Sequence, residues 1–555
     1  MNKEQTVKIK FNIMAIALII IFCFAISPVT LQNDTFYTIA IGDQIVHNGI
    51  DMKDHWSWIK DLSYTYPHWA YDVMMYTIYN LSGQVGIYIS TIVLTSMLGL
   101  AIYLTNSKLI KNRVISFVLT IGAVYLLKDF ITARAQLFTF ILFVLTVYFI
   151  EMFLETRKKR YAAGLIIIPI LIANFHAAVF PFYFVLYLPY IAEYLVYMIA
   201  NSGSTWNKIK IKIYTKRVSR VGAGLRARPI KDVDYLNNKI DKFKERLQVL
   251  QERREKIESN PYKIIMKKNN NAKWLILIML ICVFTGLLTP IGNTPYTYLL
   301  NTMLGNTTQN INEHLPLILM NNMHFIIVLI MFFAILMFTD TKIKLSDLFM
   351  LGGLIFLTFY SKREESMFII IGVLILNRLI KSMLDKYDPN GCERMENLMT
   401  RIAGQFVTIA IILGIALRIY NPKMGDQYIN SNTYPVEAAN YILDNPDKFN
   451  LQTMHLYNEY NYGSYLLFRG IPVFIDSRAD LYTPQFNKNV YAFDDFLSIS
   501  GLGITNIEQK FNQYGITDLI MYNNAKLKTY IDLKPDKYKL LYSDNKFCIY
   551  ERLQT

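Results

Sequence analysis

Residues 30–80 concentrate side chains that can do chemistry. This stretch lies between the first two strongly apolar segments and holds six aspartates against two lysines, with three of the five tryptophans and three of the seven histidines of the chain. Carboxylates act as general bases and hydrogen-bond hydroxyl groups, and aromatic faces pack against the C–H surfaces of sugars. The composition predicts a site for a sugar or another polyhydroxyl compound at a membrane face. The alternative is an interfacial aromatic belt with solvated acids.

Two arginines beside apolar segments are the candidate anion-binding groups. Arg134 precedes the fourth apolar segment, and Arg363 lies between the ninth and the tenth. A guanidinium at the edge of the bilayer is costly and usually serves a function. Its planar geometry favours bidentate pairing with a phosphate. The alternative is that each side chain extends to the membrane surface and contacts only headgroups and water.

His176 lies inside a long apolar stretch, next to Asn174. Polar groups at membrane depth usually face a cavity or the interior of a helix bundle, so His176 contacts either a substrate or the ends of broken helices. A divalent metal held by Glu313 and two histidines is a further option. No two histidines have a recognised ligand spacing, and a lone histidine is more often structural.

A second polar cluster comes near the C-terminus. Asp476, Arg478 and Asp480 follow the apolar sequence PVFI, which predicts a strand over 471–475. Side chains at the end of a strand in an α/β fold often bind ligands. An internal Arg–Asp pair that holds the turn explains the same residues equally well.

The composition indicates that lipid surrounds most of the chain. Of the 555 residues, 53% are hydrophobic and 18% are charged, and the mean hydropathy is +0.25. These values exclude a soluble enzyme and a disordered chain, and the four scattered cysteines exclude a disulfide scaffold. We predict an all-α polytopic membrane bundle with eleven transmembrane helices. They fall at 11–29, 84–104, 113–127, 135–151, 161–174, 177–200, 274–290, 323–339, 344–360, 366–380 and 402–419.

The apolar stretch 161–200 is too long for one span. As a single helix it would measure about 60 Å, which is twice the thickness of the hydrocarbon core. We therefore predict a break near Asn174, His176 and Pro181.

The distribution of charge predicts the orientation in the membrane. The net charge is +15, and residues 201–274 alone hold 20 Lys/Arg against 7 Asp/Glu, a net of +13. Because cytoplasmic loops are enriched in Lys and Arg, we place the N-terminus and this basic segment in the cytoplasm. The positive charge orients the protein and can contact anionic lipid, so it requires no nucleic-acid partner.

We divide the chain into a membrane module, residues 1–419, and an extracytoplasmic α/β domain, residues 420–555. The domain has predicted helices near 435–444 and 505–514 and predicted strands at 453–457, 471–475, 517–522, 538–543 and 546–551. The basic cytoplasmic insertion, 201–273, has apolar residues spaced by three and four between Val233 and Leu250. This spacing predicts a helical hairpin or a helix on the membrane surface. The alternative is a coiled coil that binds a partner.

Several motifs resemble one family. Asp34, Gly42, Gly49, Asp54 and Trp69 together resemble the first external loop of GT-C superfamily glycosyltransferases. Four later segments resemble a bacterial group of multi-span proteins of this type: ARAQLF at 133–138, ANFHAAVF at 173–180, TPIGNTPYTYLL and INEHLP within 289–316, and YNYGSYLLFRGIPVFIDSRADLY at 460–482. The chain departs from the group's pattern at Ile39, His68 and His314.

The resemblance implies transfer of a sugar from a polyprenyl-phosphate donor to an envelope glycan, lipid or protein at the outer face of a bacterial plasma membrane. It implies Asp34 as the general base, with Asp54 and Glu313 positioning the acceptor or binding a divalent metal. It also implies Trp69 as a substrate-binding residue. The other substrate-binding candidates, Arg134, His176 and Arg363, are expected from their positions at the ends or breaks of apolar segments. By analogy, the external domain guides the acceptor. The alternatives are a lipid or solute transporter or flippase, and a non-catalytic envelope scaffold of the same fold.

Overall fold

The computed structural model describes residues 3–223, 231–259, 263–266, 269–504 and 506–553. The chain is mostly helical, with a small sheet near its C-terminus. The helices up to residue 420 are α1 Lys3–Ile26, α2 Asn33–Asn48, α3 Trp69–Ile110, α4 Arg113–Leu126, α5 Ala135–Thr156, α6 Lys159–Phe175, α7 Phe180–Val185, α8 Leu188–Ala200, α9 Ser202–Ala223, α10 Lys231–Ser259, α11 Ala272–Cys282, α12 Thr294–Leu304, α13 Thr307–Asn310, α14 Met323–Phe338, α15 Leu345–Tyr360, α16 Glu365–Tyr387, α17 Gly391–Thr400 and α18 Ile402–Tyr420. Two short strands, β1 Ile264–Ile265 and β2 Ile343–Lys344, pair in parallel.

The apolar helices indicate a multi-pass membrane protein. In the described part of the chain, six helical stretches are long and apolar enough to cross a bilayer: Ile9–Ile26, Trp69–Ile110, Ala135–Thr156, Ala177–Ala200, Lys362–Tyr387 and Ile402–Lys423. Four shorter apolar helices lie at Arg113–Leu126, Ala272–Leu287, Met323–Phe338 and Leu345–Tyr360. Each predicted apolar segment coincides with helix, but the predicted number of eleven full spans is not confirmed.

The segment predicted as a loop, 30–80, is partly helical. It contains all of α2 and the first turns of α3, which continue through the predicted second span for 42 residues in total. Gly83, at φ 59° and ψ −148°, kinks α3 because glycine adopts this backbone conformation without steric cost. The helices α2 and α3 approach closely at Gly42, where an added Cβ would lie 2.2 Å from the Asp72 carbonyl oxygen.

The predicted break in the stretch 161–200 is confirmed. Helix α6 ends at Phe175, His176 has non-helical backbone angles, and a short 3-10 turn precedes α7. The backbone N–H of Ala177 donates to the carbonyl of Pro67 at 2.7 Å. Residues 49–68, between α2 and α3, are called the external loop here after their predicted position. The break therefore joins the external loop to the membrane helices.

The C-terminal part combines helices with one mixed sheet. Its helices are α19 Val436–Asp444, α20 Tyr460–Phe468, α21 Ala492–Ser500, α22 Ile507–Tyr514 and α23 Lys526–Asp532, and its strands are β3 Leu456–Tyr457, β4 Asp518–Tyr522, β5 Tyr538–Ser543 and β6 Phe547–Arg552. The strand order is β3-β4-β6-β5, with β3 and β4 parallel and the other pairs antiparallel.

The predicted strand over 471–475 is wrong. Val473 forms a single bridge with Ser57 of the external loop and does not join the sheet. Its backbone accepts from Trp58 N–H at 3.2 Å and donates to the Trp56 carbonyl at 3.1 Å. Ile471, Val473, Phe474 and Ile475 are nonetheless buried.

The basic insertion forms a helical hairpin, as one of the alternatives predicted. Helices α9 and α10 pack along each other, and the rings of Tyr214 and Phe243 stack with centroids 5.7 Å apart. The apolar seam of α10 is therefore covered by α9. The division of the chain at residue 419 stays a prediction.

Candidate functional site

A cavity of about 810 Å³ lies where the membrane helices meet the external loop and the C-terminal part. Its wall includes residues from the starts of α2 and α5, the break after α6, the α12–α13 region and the segment before α16. The predicted site residues that line it are Asp34, Arg134, His176, Glu313, Arg363, Arg478 and Asp480. Asp54, Trp69 and Asp476 do not line it.

Asp34 and Arg134 form an ion pair in this cavity. Nη2 of Arg134 lies 2.6 Å from Oδ2 of Asp34, and the two side chains are 22% and 16% exposed. Asp34 occupies the first turn of α2, where the helix dipole favours a negative charge. Arg134 is the extended residue before α5. The Thr35 hydroxyl donates to the Ala133 carbonyl at 3.3 Å and so holds the two helix starts together.

Arg134 also binds Glu313. Nη1 of Arg134 lies 3.2 Å from Oε1 of Glu313, which belongs to a short 3-10 turn, Asn312–His314. The attraction of Arg134 lowers the pKa of Glu313, although burial opposes this shift. Burial disfavours the charge on Arg134, but Asp34 and Glu313 outweigh it and raise the pKa of Arg134 above its usual value. One guanidinium thus bridges two carboxylates.

Arg363 is the cation of the cavity without a carboxylate partner. Among the residues that the structure describes, it forms no ion pair, although its neighbour Arg134 forms two. Burial, followed by the charge of Arg363, lowers the pKa of His314 to about 4, so that this histidine is neutral near pH 7. Arg363 also attracts the carboxylates of Glu313, Glu364 and Asp480 without forming an ion pair with any of them.

A buried Asp–His pair beside Asp34 was not among the predicted site residues. Asp72, in the first turn of α3, is fully buried and accepts a hydrogen bond of 2.7 Å from Nδ1 of His68. Nε2 of His68 lies 3.3 Å from the Tyr37 hydroxyl, and both side chains line the cavity. Burial and the charge of Asp34 raise the pKa of Tyr37 well above its usual value. The i, i+4 spacing of His68 and Asp72 at a helix start was the available signal.

Asp54 and Asp476 do not line the cavity, and both form ion pairs with Arg478. Nη1 of Arg478 lies 2.6 Å from Oδ1 of Asp54, and Nη2 lies 2.6 Å from Oδ2 of Asp476. The guanidinium also lies between the rings of Trp56 and Tyr64, 5.0 and 4.9 Å from their centroids. This cluster fixes the external loop to the C-terminal part, and the roles expected for Asp54 and Asp476 stay predictions. The alternative of an internal Arg–Asp pair is the one observed.

Asp480, by contrast, lines the cavity and holds its rim. Its carboxylate accepts hydrogen bonds from the hydroxyls of Thr302 and Thr307 at 2.9 and 2.8 Å. Burial raises the pKa of Asp480 above its usual value. The contact joins the C-terminal part to α12 and α13.

Trp69 and His176 stabilise the break after α6. Nε1–H of Trp69 donates to the Asn174 side chain at 3.1 Å. Nδ1 of His176 lies 2.8 Å from the Thr139 hydroxyl, and burial, followed by Arg363, lowers the pKa of His176 well below its usual value. His176 is therefore neutral and faces the cavity. Trp69 instead holds the helix ends.

The residues present do not fit a divalent metal. No group of three His, Cys, Asp or Glu side chains that could hold an ion occurs among the described residues. Arg134 occupies the position between Asp34 and Glu313 that a shared cation would need.

The comparisons with known proteins bear on the fold. No protein-family model matches the chain, and no curated protein matches its sequence. Among solved structures, the chain is similar to the apo oligosaccharyltransferase of Archaeoglobus fulgidus, with a TM-score of 0.52 and 11% identity over 100% of this chain and 75% of that one. At this identity the likeness establishes a shared fold alone.

Proposed function

We propose that the chain is an integral membrane glycosyltransferase that moves a sugar from a polyprenyl-phosphate donor to an acceptor of the cell envelope. The observation that carries this proposal is the meeting of Asp34, Arg134 and Glu313 in one cavity with the guanidinium of Arg363. A carboxylate suits an acceptor hydroxyl, and a guanidinium suits a phosphate. The acceptor hydroxyl would thus meet a carboxylate, and the donor phosphate would meet a guanidinium, in the same cavity.

An apolar groove supports a lipid-linked donor. The groove, of about 360 Å³, is lined by α7, α8, α15 and α16. It shares Phe182, Leu357, Glu364 and Met367 with the wall of the polar cavity. An isoprenoid chain could therefore lie among the membrane helices while its phosphate reaches Arg363.

In the proposed step, the acceptor hydroxyl oxygen attacks the anomeric carbon of the donor sugar. Its proton passes to the Asp34 carboxylate as the new C–O bond forms. The bond from the anomeric carbon to the phosphate oxygen breaks, and its electron pair stays on the phosphate. Arg363 and Arg134 stabilise that negative charge. Arg134 also fixes one oxygen of Asp34, which orients the other toward the acceptor.

The remaining polar groups suit supporting roles. His68, held by Asp72, offers Nε2 to the cavity and can orient an acceptor hydroxyl. Glu313 and Asp480 lie on the side where α12 and α13 meet the C-terminal part, so we assign acceptor guidance to this side. We propose that the protein lies in a bacterial plasma membrane. The charge distribution predicts that the cavity is on the outer face.

The test uses purified protein in proteoliposomes with a radiolabelled short-chain polyprenyl-phosphate sugar and an envelope extract as the acceptor. We expect Asp34→Asn to lower transfer by about 10²–10⁴-fold, the usual contribution of a general base. Asp43→Asn is the matched control, because Asp43 lies on the same helix, is 56% exposed and does not line the cavity. It should leave the transfer rate unchanged.

Each alternative has a distinct outcome. Movement of the lipid or a solute across the membrane without a covalent product would identify a transporter or flippase. Full activity of Asp34→Asn would refute the role of this carboxylate. Binding of an envelope partner without any transfer by the wild-type protein would identify a scaffold.

A further inference from the structure

Helix α9 of the basic insertion has an unusual charge. Its 22 residues include six Lys/Arg and no Asp or Glu. The partner helix α10 carries eight Lys/Arg and seven Asp/Glu, which nearly cancel. The excess positive charge of the hairpin therefore belongs to one helix.

The same helix exposes an apolar stripe. Trp206, Ile209 and Ile213 are 59%, 43% and 46% exposed, and their spacing of three and four places them on one face. Lys212 and Lys216 flank this stripe on one side, and Lys210 flanks it on the other. A soluble surface rarely exposes a tryptophan and two isoleucines in a row.

The side of α9 next to this stripe, beyond Lys210, is already covered by α10. Tyr214 stacks on Phe243 of α10, and Lys210 lies 5.0 Å from the centroid of the same ring. In α10, Ile240 and Leu247 are each only 8% exposed. The hairpin thus covers its own seam and leaves the stripe of Trp206, Ile209 and Ile213 about half exposed, with the Lys210 ammonium 5.5 Å from the centroid of the Trp206 ring.

The position of the hairpin relative to the bilayer follows from α5. This helix starts beside the cavity at Arg134 and runs for 22 residues, or about 33 Å, which is the thickness of the hydrocarbon core. At its far end, Asn269 and Asn271 donate to the carbonyl of Leu154 at 3.3 and 2.9 Å. The insertion is therefore anchored at the membrane face opposite the cavity, and α9 follows directly after α8 at Ala200.

We propose that α9 is an interfacial helix that binds anionic phospholipid. The stripe of Trp206, Ile209 and Ile213 enters the headgroup region of the leaflet opposite the cavity, and Lys212 and Lys216 on its flank contact phosphate headgroups. A cationic helix with one apolar face that contains tryptophan is the form that lies in a membrane interface. Because α9 emerges from a membrane span, the bilayer is the surface nearest to this face.

The test attaches an environment-sensitive fluorophore at Ile209→Cys in the full-length protein. Cys392→Ser removes the one cysteine that is partly exposed, since Cys23, Cys282 and Cys548 are buried. The protein is reconstituted in discs of phosphatidylcholine with or without phosphatidylglycerol. We expect the emission to shift to shorter wavelength in discs with the anionic lipid. The shift should shrink when salt shortens the screening length from about 10 Å at 0.1 M to about 3 Å at 1 M.

Charge removal provides the matched comparison. Lys212 and Lys216 changed together to Gln should abolish the difference between the two lipids. Lys242 and Arg246 of α10, changed to Gln, remove the same charge from exposed positions and should leave the difference intact. The readout does not depend on catalysis, so it stands apart from the proposed transferase activity.

Two results would overturn the proposal. One is a probe that stays in a water-like environment in both kinds of disc. The other is a probe that becomes shielded only when a soluble protein fraction is added, which would make the stripe a protein-docking surface.

Discussion

Nη2 of Arg134 lies 2.6 Å from Oδ2 of Asp34, and this ion pair joins the start of α5 to the start of α2. The hydrogen bond between Thr35 and Ala133, which are 98 residues apart in the sequence, reinforces the same junction. The same guanidinium holds Glu313 from a third segment. A single cation therefore assembles the acidic side of the cavity. Arg363, which has no such partners in the described chain, is left as the group that can bind an anion from solution or lipid.

Arg363 should control binding of the lipid phosphate. We expect Arg363→Gln to weaken the affinity for a short-chain polyprenyl phosphate by about 10- to 100-fold, since a hydrogen bond to a charged group contributes about 1.5–3 kcal/mol. The adjacent Lys362 is exposed and does not line the cavity, so Lys362→Gln is the control. Equal affinities of the two variants, measured by equilibrium binding in detergent, would contradict this assignment.

The effects of substitutions at His68 and Asp72 on the free energy of unfolding should be coupled. Removal of His68 by His68→Gln leaves the fully buried carboxylate of Asp72 without its main partner, at a cost of about 1–3 kcal/mol. Asp72→Asn in the same chain should recover part of this loss. Thermal unfolding of the two single variants and the double variant measures the coupling. His47→Gln, at an exposed His–Asp pair, should change little, and strictly additive effects at 68 and 72 would count against the pairing.

The Arg478 cluster should hold the external loop on the C-terminal part. Asp54, with a side chain only 1% exposed, provides one of two carboxylates for Arg478. Loss of one partner from a buried ion pair costs about 3–5 kcal/mol, and because Asp476 remains, we expect Asp54→Asn near the lower end. The midpoint of thermal unfolding should fall by several degrees, and protease should cut the loop sooner. Asp61→Asn, at an exposed position of the same loop, is the control; an identical response of both variants would refute the clamp.

Glu459 should make stability depend on pH. Burial raises the pKa of Glu459 from 4.5 to about 7. The folded state therefore favours the protonated carboxyl. The contribution of Glu459 to stability is largest below pH 4.5, falls between pH 4.5 and about 7 and then levels off. The loss should be about 3 kcal/mol. Unfolding curves of Glu459→Gln should lack this slope, whereas those of Glu437→Gln, at an exposed helix position, should keep it.

The sequence was most informative where a local pattern determines the structure. The apolar segments predicted helices, and the polar residues at 174 and 176 predicted the break because a 40-residue apolar helix exceeds the bilayer. Asp34, Arg134 and Glu313 were identified by their resemblance to family motifs, and the structure brings them together.

Long-range partners were the part that could not be predicted. Asp54 and Arg478 are 424 residues apart, so nothing in the local sequence signals their contact. The apolar stretch 471–475 has the composition of a strand. Its residue Val473, however, pairs with the external loop through one bridge to Ser57 and joins no strand of the sheet. Helix α2 does not emerge from the sequence because Asp34, Asp43 and His47 obscure its apolar face, which packs on α3 and α20.

The most direct test of the account is an experimental structure of the protein with a polyprenyl phosphate bound. We predict that the phosphate lies within hydrogen-bond distance of Arg363 in the cavity that contains Asp34 and Arg134. Its isoprenoid chain should follow the groove between α8 and α15. A phosphate bound at the opposite membrane face, or a lipid chain that leaves this cavity empty, would contradict the account.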